Sequence, residues 1–174
     1  MAAEFDAFAM YAVMDAQRMD RGLSWQKVAK EIWEQSAALN VRRHDHPISA
    51  ATLTGVGKRG DCTCQHALFM LRWLGRTPES FVSGSALPPG ADALPGVGDD
   101  RRLRWNLRTL YEALDARRRE QGLTWKELAT VLHCTDNQLT GVRTARYAIG
   151  MKLAMRIVQW LGEPAATFIY AARW

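Results

Sequence analysis

Two groups of side chains in this sequence have the types and spacing to do chemistry. The first is His44, His46, Cys62, Cys64 and His66, imidazoles and thiols of the kind that ligate metals. Their order, H-x-H and then C-x-C-x-H, departs from the two-to-four-residue cysteine spacing and three-to-five-residue histidine spacing of zinc sites. The second is Asn137, Gln138, Arg143 and Arg146. Side-chain amides pair bidentately with adenine and guanidinium groups with guanine, so this set has the chemistry to read base edges. Cys134 beside His133 suggests a nucleophile, but the cysteine fills an apolar slot in the helical pattern. There is no P-loop, no glycine-rich dinucleotide turn and no serine–histidine or paired-carboxylate arrangement. The residues therefore predict a protein that is not an enzyme and that carries neither metal nor cofactor.

The elements that position these residues occur twice. YAVMDAQRMDRGLSWQKVAKEI (11–32) lies over YEALDARRREQGLTWKELATVL (111–132) at an offset of 100. The tetrapeptide LTGV recurs at 53–56 and 139–142, an offset of 86, and Trp73-Leu74-Gly75 matches Trp160-Leu161-Gly162 at 87. The first copy thus holds an insertion of 14 residues between its second and third elements. In this alignment Cys62, Cys64 and His66 fall on Ile149, Met151 and Leu153, so buried packing competes with metal binding. Between the copies, GSALPPGADALPGVGDD (84–100) is too rich in proline, glycine and aspartate for a helix. The expected organisation is a unit over 1–83 with an insertion at 33–47, a flexible linker at 84–100 and a second unit over 101–174. Seventeen extended residues reach about 55 Å.

Each unit reads as short helices. In the second, apolar spacing predicts a helix from Trp105 to Glu120, broken by Gly122. Thr124-Trp125-Lys126-Glu127 is a capping box opening the next, Trp125–Leu132. A third follows Thr135, and a fourth near Met151–Leu161 ends on Gly162. In the first unit the second helix is expected to run past Trp33 to about Asn40, with Arg42-Arg43-His44 as a basic loop leading to Pro47. No alternating strand pattern stands out, so the predicted class is all-α. The tail FIYAARW (168–174) is apolar enough to cover a core or a subunit interface. Arg117–Arg119 at a helix end suit either a solvated face or phosphate contact.

Bulk properties narrow the partners. The 174 residues carry 23 Lys/Arg against 18 Asp/Glu, for a net charge of +5. The excess is uneven: 10 against 9 in residues 1–83, and 13 against 9 in 84–174. A mild basic excess is compatible with nucleic acid. No window reaches the roughly 18 apolar residues of a membrane helix. Three cysteines and a start without a basic segment before an apolar run point to a cytoplasmic protein without a disulfide framework.

ELATVLHCTDNQLTGVRTA (127–145) resembles the helix-turn-helix of phage-repressor/Cro-type (XRE-like) regulators. Leu128, Ala129, Leu132, Cys134, Thr135, Leu139 and Val142 fall on the family's apolar, small and capping positions. Val28-Ala29, Ile32, Ile48-Ser49, Thr52-Leu53 and Val56 fill the same slots in the first copy. The resemblance implies two tandem lambda-repressor-like domains. It also implies that the helices holding LTGV are recognition helices. His133 stands where the family usually has a left-handed glycine. Trp25 and Trp125 stand where it often has a phosphate-binding glutamine, so their rings belong either to a phosphate contact or to the core.

The glycine of LTGV then falls on the outer face of the recognition helix. Three explanations remain open: close approach of Gly55 and Gly141 to the major groove, space for a neighbouring helix, or inheritance from a duplication. The implied DNA-binding set in the second copy is Asn137, Gln138, Thr140, Gly141, Arg143 and Arg146, with Thr124, Trp125 and Lys126. In the first it is Thr52, Thr54, Gly55, Lys58 and Arg59, with Trp25, Arg42 and Arg43. Ala50 and Ala51 read little, so the second copy is expected to specify sequence and the first to grip backbone. The function implied is sequence-specific binding of double-stranded DNA in transcriptional regulation. The rival is a helical protein-interaction module, adaptor or antitoxin-like, using the same face. Expected partners are double-stranded DNA, a second copy of the chain as a homodimer or another protein, and no membrane.

Overall fold

Asp6 and Asn106 open the two repeats in the same way. Each side chain accepts from the backbone N–H three residues on, at 2.9 and 3.1 Å. Each backbone N–H donates to a phenylalanine carbonyl at the far end of its own repeat, Phe81 or Phe168, at 2.8 and 2.7 Å. The computed structural model describes residues 3–84, 87–144 and 149–174. In chain order, α1 is Ala7–Asp20, α2 Trp25–Glu34, α3 Ala37–Arg43, α4 Ala50–Arg59 and α5 Cys64–Leu74, followed by a 3-10 turn at Pro78–Phe81. Then come β1 Arg102–Trp105, α6 Leu107–Glu120, α7 Trp125–Val131, α8 Asp136–Thr144 and α9 Met151–Leu161. A second 3-10 turn, Ala165–Phe168, leads into β2, Ile169–Ala172. The repeat pairs α1 with α6, α2 with α7, α4 with α8 and α5 with α9.

The chain is mostly helical, as expected, with one two-stranded sheet that the sequence did not predict. β1 and β2 pair antiparallel, with Trp105 opposite Ile169 and Arg102 opposite Ala172. Trp105 is therefore a strand residue, and α6 begins two residues later, after its Asn106 cap. The tail covers the core: Phe168, Ile169 and Ala172 are buried. The first repeat keeps a remnant of this sheet, a single bridge between Phe5 and Val82.

The inserted segment also differs from expectation. α2 stops at Glu34, and α3 is a separate helix whose last turn contains Arg42 and Arg43, so they are not loop residues. The break occurs at Ser36, whose φ/ψ of −130/40 is non-helical. Its hydroxyl donates to the Arg101 carbonyl at 2.7 Å and accepts from Arg72 at 2.8 Å. Asn40, 1% exposed, donates to the Trp33 carbonyl at 2.8 Å and accepts from Arg102 at 2.6 Å. Arg102, buried beneath it, also pairs with Asp45 at 2.9 Å. These bonds offset the cost of burying Asn40 and Arg102.

Related contacts hold the last residues of the connection. The Leu39 N–H donates to Asp99 O at 3.2 Å, and Arg72 reaches the Val97 and Gly98 carbonyls at 3.4 Å. The end of the connection is thus fastened to the first repeat before β1 begins.

Buried side chains from both repeats form one continuous core, including Met10, Met14, Leu68 and Met70 from the first and Leu110, Leu128, Met155 and Ile157 from the second. Each fully buried side chain of this size stabilises by about 1.5–3 kcal/mol. α5 packs on α9. At their entrances, the Cys64 N–H donates to Ile149 O at 2.7 Å and the Met151 N–H to Cys62 O at 2.8 Å. Cys62 is the repeat equivalent of Ile149, and Cys64 of Met151. Equivalent residues thus exchange equivalent bonds, which gives the entrances of α5 and α9 a local two-fold relation. Among the described residues no helix is long and apolar enough to cross a membrane.

Candidate nucleic-acid interface

α8 is the element on which the sequence placed its base-reading residues, and a capping box opens both it and the preceding α7. At α7, Thr124 Oγ1 accepts from the Glu127 N–H at 3.2 Å, and Glu127 Oε2 accepts from the Thr124 N–H at 2.8 Å. The Thr124 backbone N–H and hydroxyl hold the Glu127 carboxyl below its ordinary pKa. At α8, Thr135 Oγ1 accepts from the Gln138 N–H at 3.2 Å, and Gln138 Oε1 accepts from the Thr135 N–H at 2.8 Å. The connection between the helices turns at His133, whose φ of 51° is left-handed, where the sequence substitutes histidine for the expected glycine. Arg156 of α9 donates to the His133 carbonyl at 3.0 Å and pairs with Glu4 of the first repeat.

Leu139 and Val142, 2% and 0% exposed, anchor the inner face of α8. Asp136, Asn137, Gln138, Thr140, Arg143 and Thr144 are all exposed. Gly141 lies on the outer side, and among the described residues a Cβ there would meet nothing within 4 Å, so no described helix of this chain fills that space. Two expected readers are partly committed elsewhere. Gln138 turns its carbonyl oxygen back to the cap, giving up half the amide fork an adenine needs. The Thr140 hydroxyl donates to Asp136 O at 3.0 Å, leaving its methyl outward. Asn137 and Arg143 keep their exposed ends. Arg146 lies outside the described residues.

Beside α8 a cleft of about 160 Å³ is lined by Tyr111, Trp125, Asp136, Leu139, Thr140 and Arg143. Its aromatic wall is rigid. Tyr111 stacks on Trp125 with centroids 5.4 Å apart and planes at 12°. Arg118 lies over the other side of the indole at 4.5 Å, held by Asp115 at 2.7 Å and the Leu123 carbonyl at 2.5 Å. Partial burial works to raise the Asp115 pKa, but the Arg118 hydrogen bond and the Arg118 and Arg119 charges outweigh it and bring it below the ordinary value. Of the three arginines in the 117–119 run, Arg118 is a packing residue. The first repeat builds the same stack from Tyr11, Trp25 and Arg18, at 5.1 Å and 5.0 Å. Packing thus accounts for the Trp25 and Trp125 rings, which the sequence left between core and phosphate. Lys126 beside Trp125 is exposed.

α4 presents a different surface. Ser49 caps it, accepting from the Thr52 N–H at 3.1 Å, and the Thr52 hydroxyl pairs back with Ser49 at 3.0 Å. Thr54 donates to Ala51 O at 3.3 Å. Lys58 and Arg59 are exposed, but Gly55 is covered. Arg42 and Arg43 are exposed on α3, with Arg43 4.0 Å from Asp45. Sequence reasoning missed the Tyr–Trp–Arg stacks, although a signal existed: Tyr, Asp, Arg and Trp recur together at matching positions of both repeats.

Cys62 and Cys64 lie where the repeats meet. Burial pushes the Cys62 and Cys64 thiols up to about 12, so both are neutral at physiological pH. Burial and the nearby Arg59 charge push His66 down. Among the described residues no three metal-ligating side chains converge. Compared with known proteins, the chain gives no significant match to a family model, to a curated protein or to a solved structure.

Proposed function

We propose that the protein is a sequence-specific binder of double-stranded DNA acting in transcriptional regulation, built from two repressor-like helix-turn-helix units, with α8 entering the major groove. The observation that carries this reading is the outer face of α8. It has an outward glycine, Gly141, with exposed Asn137 one turn before it, exposed Arg143 on the flank that faces the Tyr111–Trp125 cleft, and a capped, well-anchored inner face. An asparagine suits adenine and an arginine suits guanine. The α7 N-terminus, with exposed Lys126, lies next to this helix in sequence and suits a phosphate. The two-fold relation of the repeats supports occupancy of successive major grooves, about 34 Å apart, by one chain.

Selection of bound fragments from randomised duplexes by the full chain tests the reading. The expected result is an enriched sequence whose affinity falls steeply with salt, as each phosphate contact releases about 0.9 counterion. Affinity flat from low to moderate salt would count against DNA. Arg143→Glu is expected to weaken duplex binding by at least about tenfold, since one bidentate base contact carries about 1–3 kcal/mol, without changing the thermal unfolding temperature. A protein-interaction module remains the second reading. What favours it is the face of α4, where Ala50, Ala51 and a covered Gly55 offer few base-reading groups. Unchanged duplex binding by the folded Arg143→Glu variant would support it.

A further inference from the structure

Gly55 lies on the outward side of α4, opposite Leu53 and Val56, which are both 0% exposed. With 3.6 residues per turn, residue 55 points away from residues 53 and 56. An outward glycine should be at least partly open to solvent, as half-buried Gly141 is, yet Gly55 is buried. A Cβ on Gly55 would lie 2.7 Å from Nη1 and from Nη2 of Arg59, and 3.0 Å from its Cζ. What covers the glycine is therefore the guanidinium plane of the residue one turn on. Long helical side chains lean toward the helix N-terminus, which carries Arg59 back over residue 55. Any side chain at 55 would displace it. In the second repeat no described residue lies within 4 Å of where a Cβ on Gly141 would stand, and the residue aligned with Arg59 is Ala145.

We propose that Gly55 is a seat for Arg59, and that the seated guanidinium is the base-reading group of the first repeat, taking a guanine through O6 and N7 in the major groove. The inference rests on the DNA-binding reading above and changes one part of it: the first repeat reads a base as well as gripping phosphate. The physical case is preorganisation. A flexible arginine loses side-chain entropy on binding, and a seat removes part of that cost beforehand. The seat also puts the planar fork near the middle of the outward face, where a base edge would sit. The fork matches the two acceptors of guanine, which a lysine cannot do. Lys58, exposed and next in sequence, has no such seat and is assigned to phosphate.

The test compares sequences enriched from randomised duplexes by the full chain and by its Arg59→Ala, Arg59→Lys, Gly55→Ala and Lys58→Ala variants. The first three are expected to lose discrimination for guanine at one position, by about 10- to 100-fold, and to keep the rest of the motif. Gly55→Ala should do so with an unfolding temperature equal to or above that of the wild type, because alanine is the better helix former. Lys58→Ala should weaken all sequences alike and reduce the salt slope. If Arg59→Ala and Arg59→Lys enrich the wild-type motif unchanged, or lose affinity equally for every sequence, the assignment of Arg59 falls while DNA binding stands. If the wild type itself enriches no sequence, the DNA-binding reading falls and takes this inference with it.

Discussion

In the first repeat Tyr11 closes on the backbone of α4 at Gly57, where a Cβ would come within 2.6 Å of the ring. In the second repeat the position matching Gly57 is Arg143, and Tyr111 lines a cleft beside α8 instead. The flanks differ as well. Glu31 of α2 joins Arg21 at 2.7 Å and the Trp73 indole N–H at 2.8 Å, whereas its counterpart in α7 is Val131, 48% exposed. The first repeat carries the insertion α3 and the second carries the sheet. The stacks, caps and core positions common to both form the scaffold, and the differences fall mainly on the outward helices. One scaffold thus presents a closed surface on α4 and an open one on α8. A duplicated unit of this kind can change one binding face while the other repeat preserves the core.

The comparison breaks most severely in the core. Trp105, 6% exposed, donates its indole N–H to Cys64 O of the other repeat at 3.1 Å, and Phe5, 1% exposed, is its counterpart. Trp105→Ala and Phe5→Ala are each expected to cost about 3–5 kcal/mol. Because the core is shared, either variant should unfold the whole chain in one denaturant transition. Two separated transitions would show that the repeats are independent units.

Two helix glycines, Gly57 and Gly141, give intermediate effects of opposite sign. Gly57→Ala should destabilise by about 1–3 kcal/mol, since the Tyr11 ring it would strike is itself held against Trp25 and cannot retreat freely. Gly141→Ala should instead stabilise by up to about 1 kcal/mol, because its Cβ enters open space. Equal effects in thermal unfolding would erase the distinction between a closed and an open helix.

The acid limb of stability sharpens the comparison further. The Arg21 hydrogen bond, against some burial and with help from Trp73, holds the Glu31 carboxyl below its ordinary pKa. A lowered folded value contributes stability that is present above the ordinary carboxylate range and is lost as pH falls through the folded value. Glu31→Gln should therefore flatten the acid side of the stability–pH curve through the first repeat, and Asp115→Asn should do so separately through the second. An unchanged acid limb in both would contradict the assignment. The smallest effect concerns the thiols. Cys62 and Cys64, with pKa values pushed up to about 12 by burial, should resist alkylation at neutral pH in the folded protein and react fully in denaturant.

Much of the local structure was legible in the residues. The Thr124–Glu127 box, the Thr135 cap and the Gly162 stop are short-range signals, and each appears where the pattern put it. The repeat register was legible because the same packing problem is solved twice with the same residue types. Less visible was anything that depended on a distant partner. RLRW is a strand only because the tail supplies its pair, and the sequence left that tail between core and interface. α2 breaks at Ser36 because Arg72 and Arg101 take up its hydroxyl, and the connection is fixed because Arg72 and Leu39 hold its carbonyls. At the candidate interface, exposed Asn137 and Arg143 were readable, while the commitment of Gln138 to the cap and the seating of Arg59 on Gly55 were not.

By itself the sequence determined a duplicated, mainly helical chain with capped helices, apolar stripes and an outward glycine at one equivalent point of each repeat, because these follow from periodicity and local hydrogen bonding. Tertiary structure alone decided that the repeats share a core and that those two glycines have unlike surroundings. Whether Gly55 is covered and Gly141 bare depends on where an arginine one turn away comes to rest, and on what packs behind the helix. Contacts of that kind leave no periodic trace in the chain.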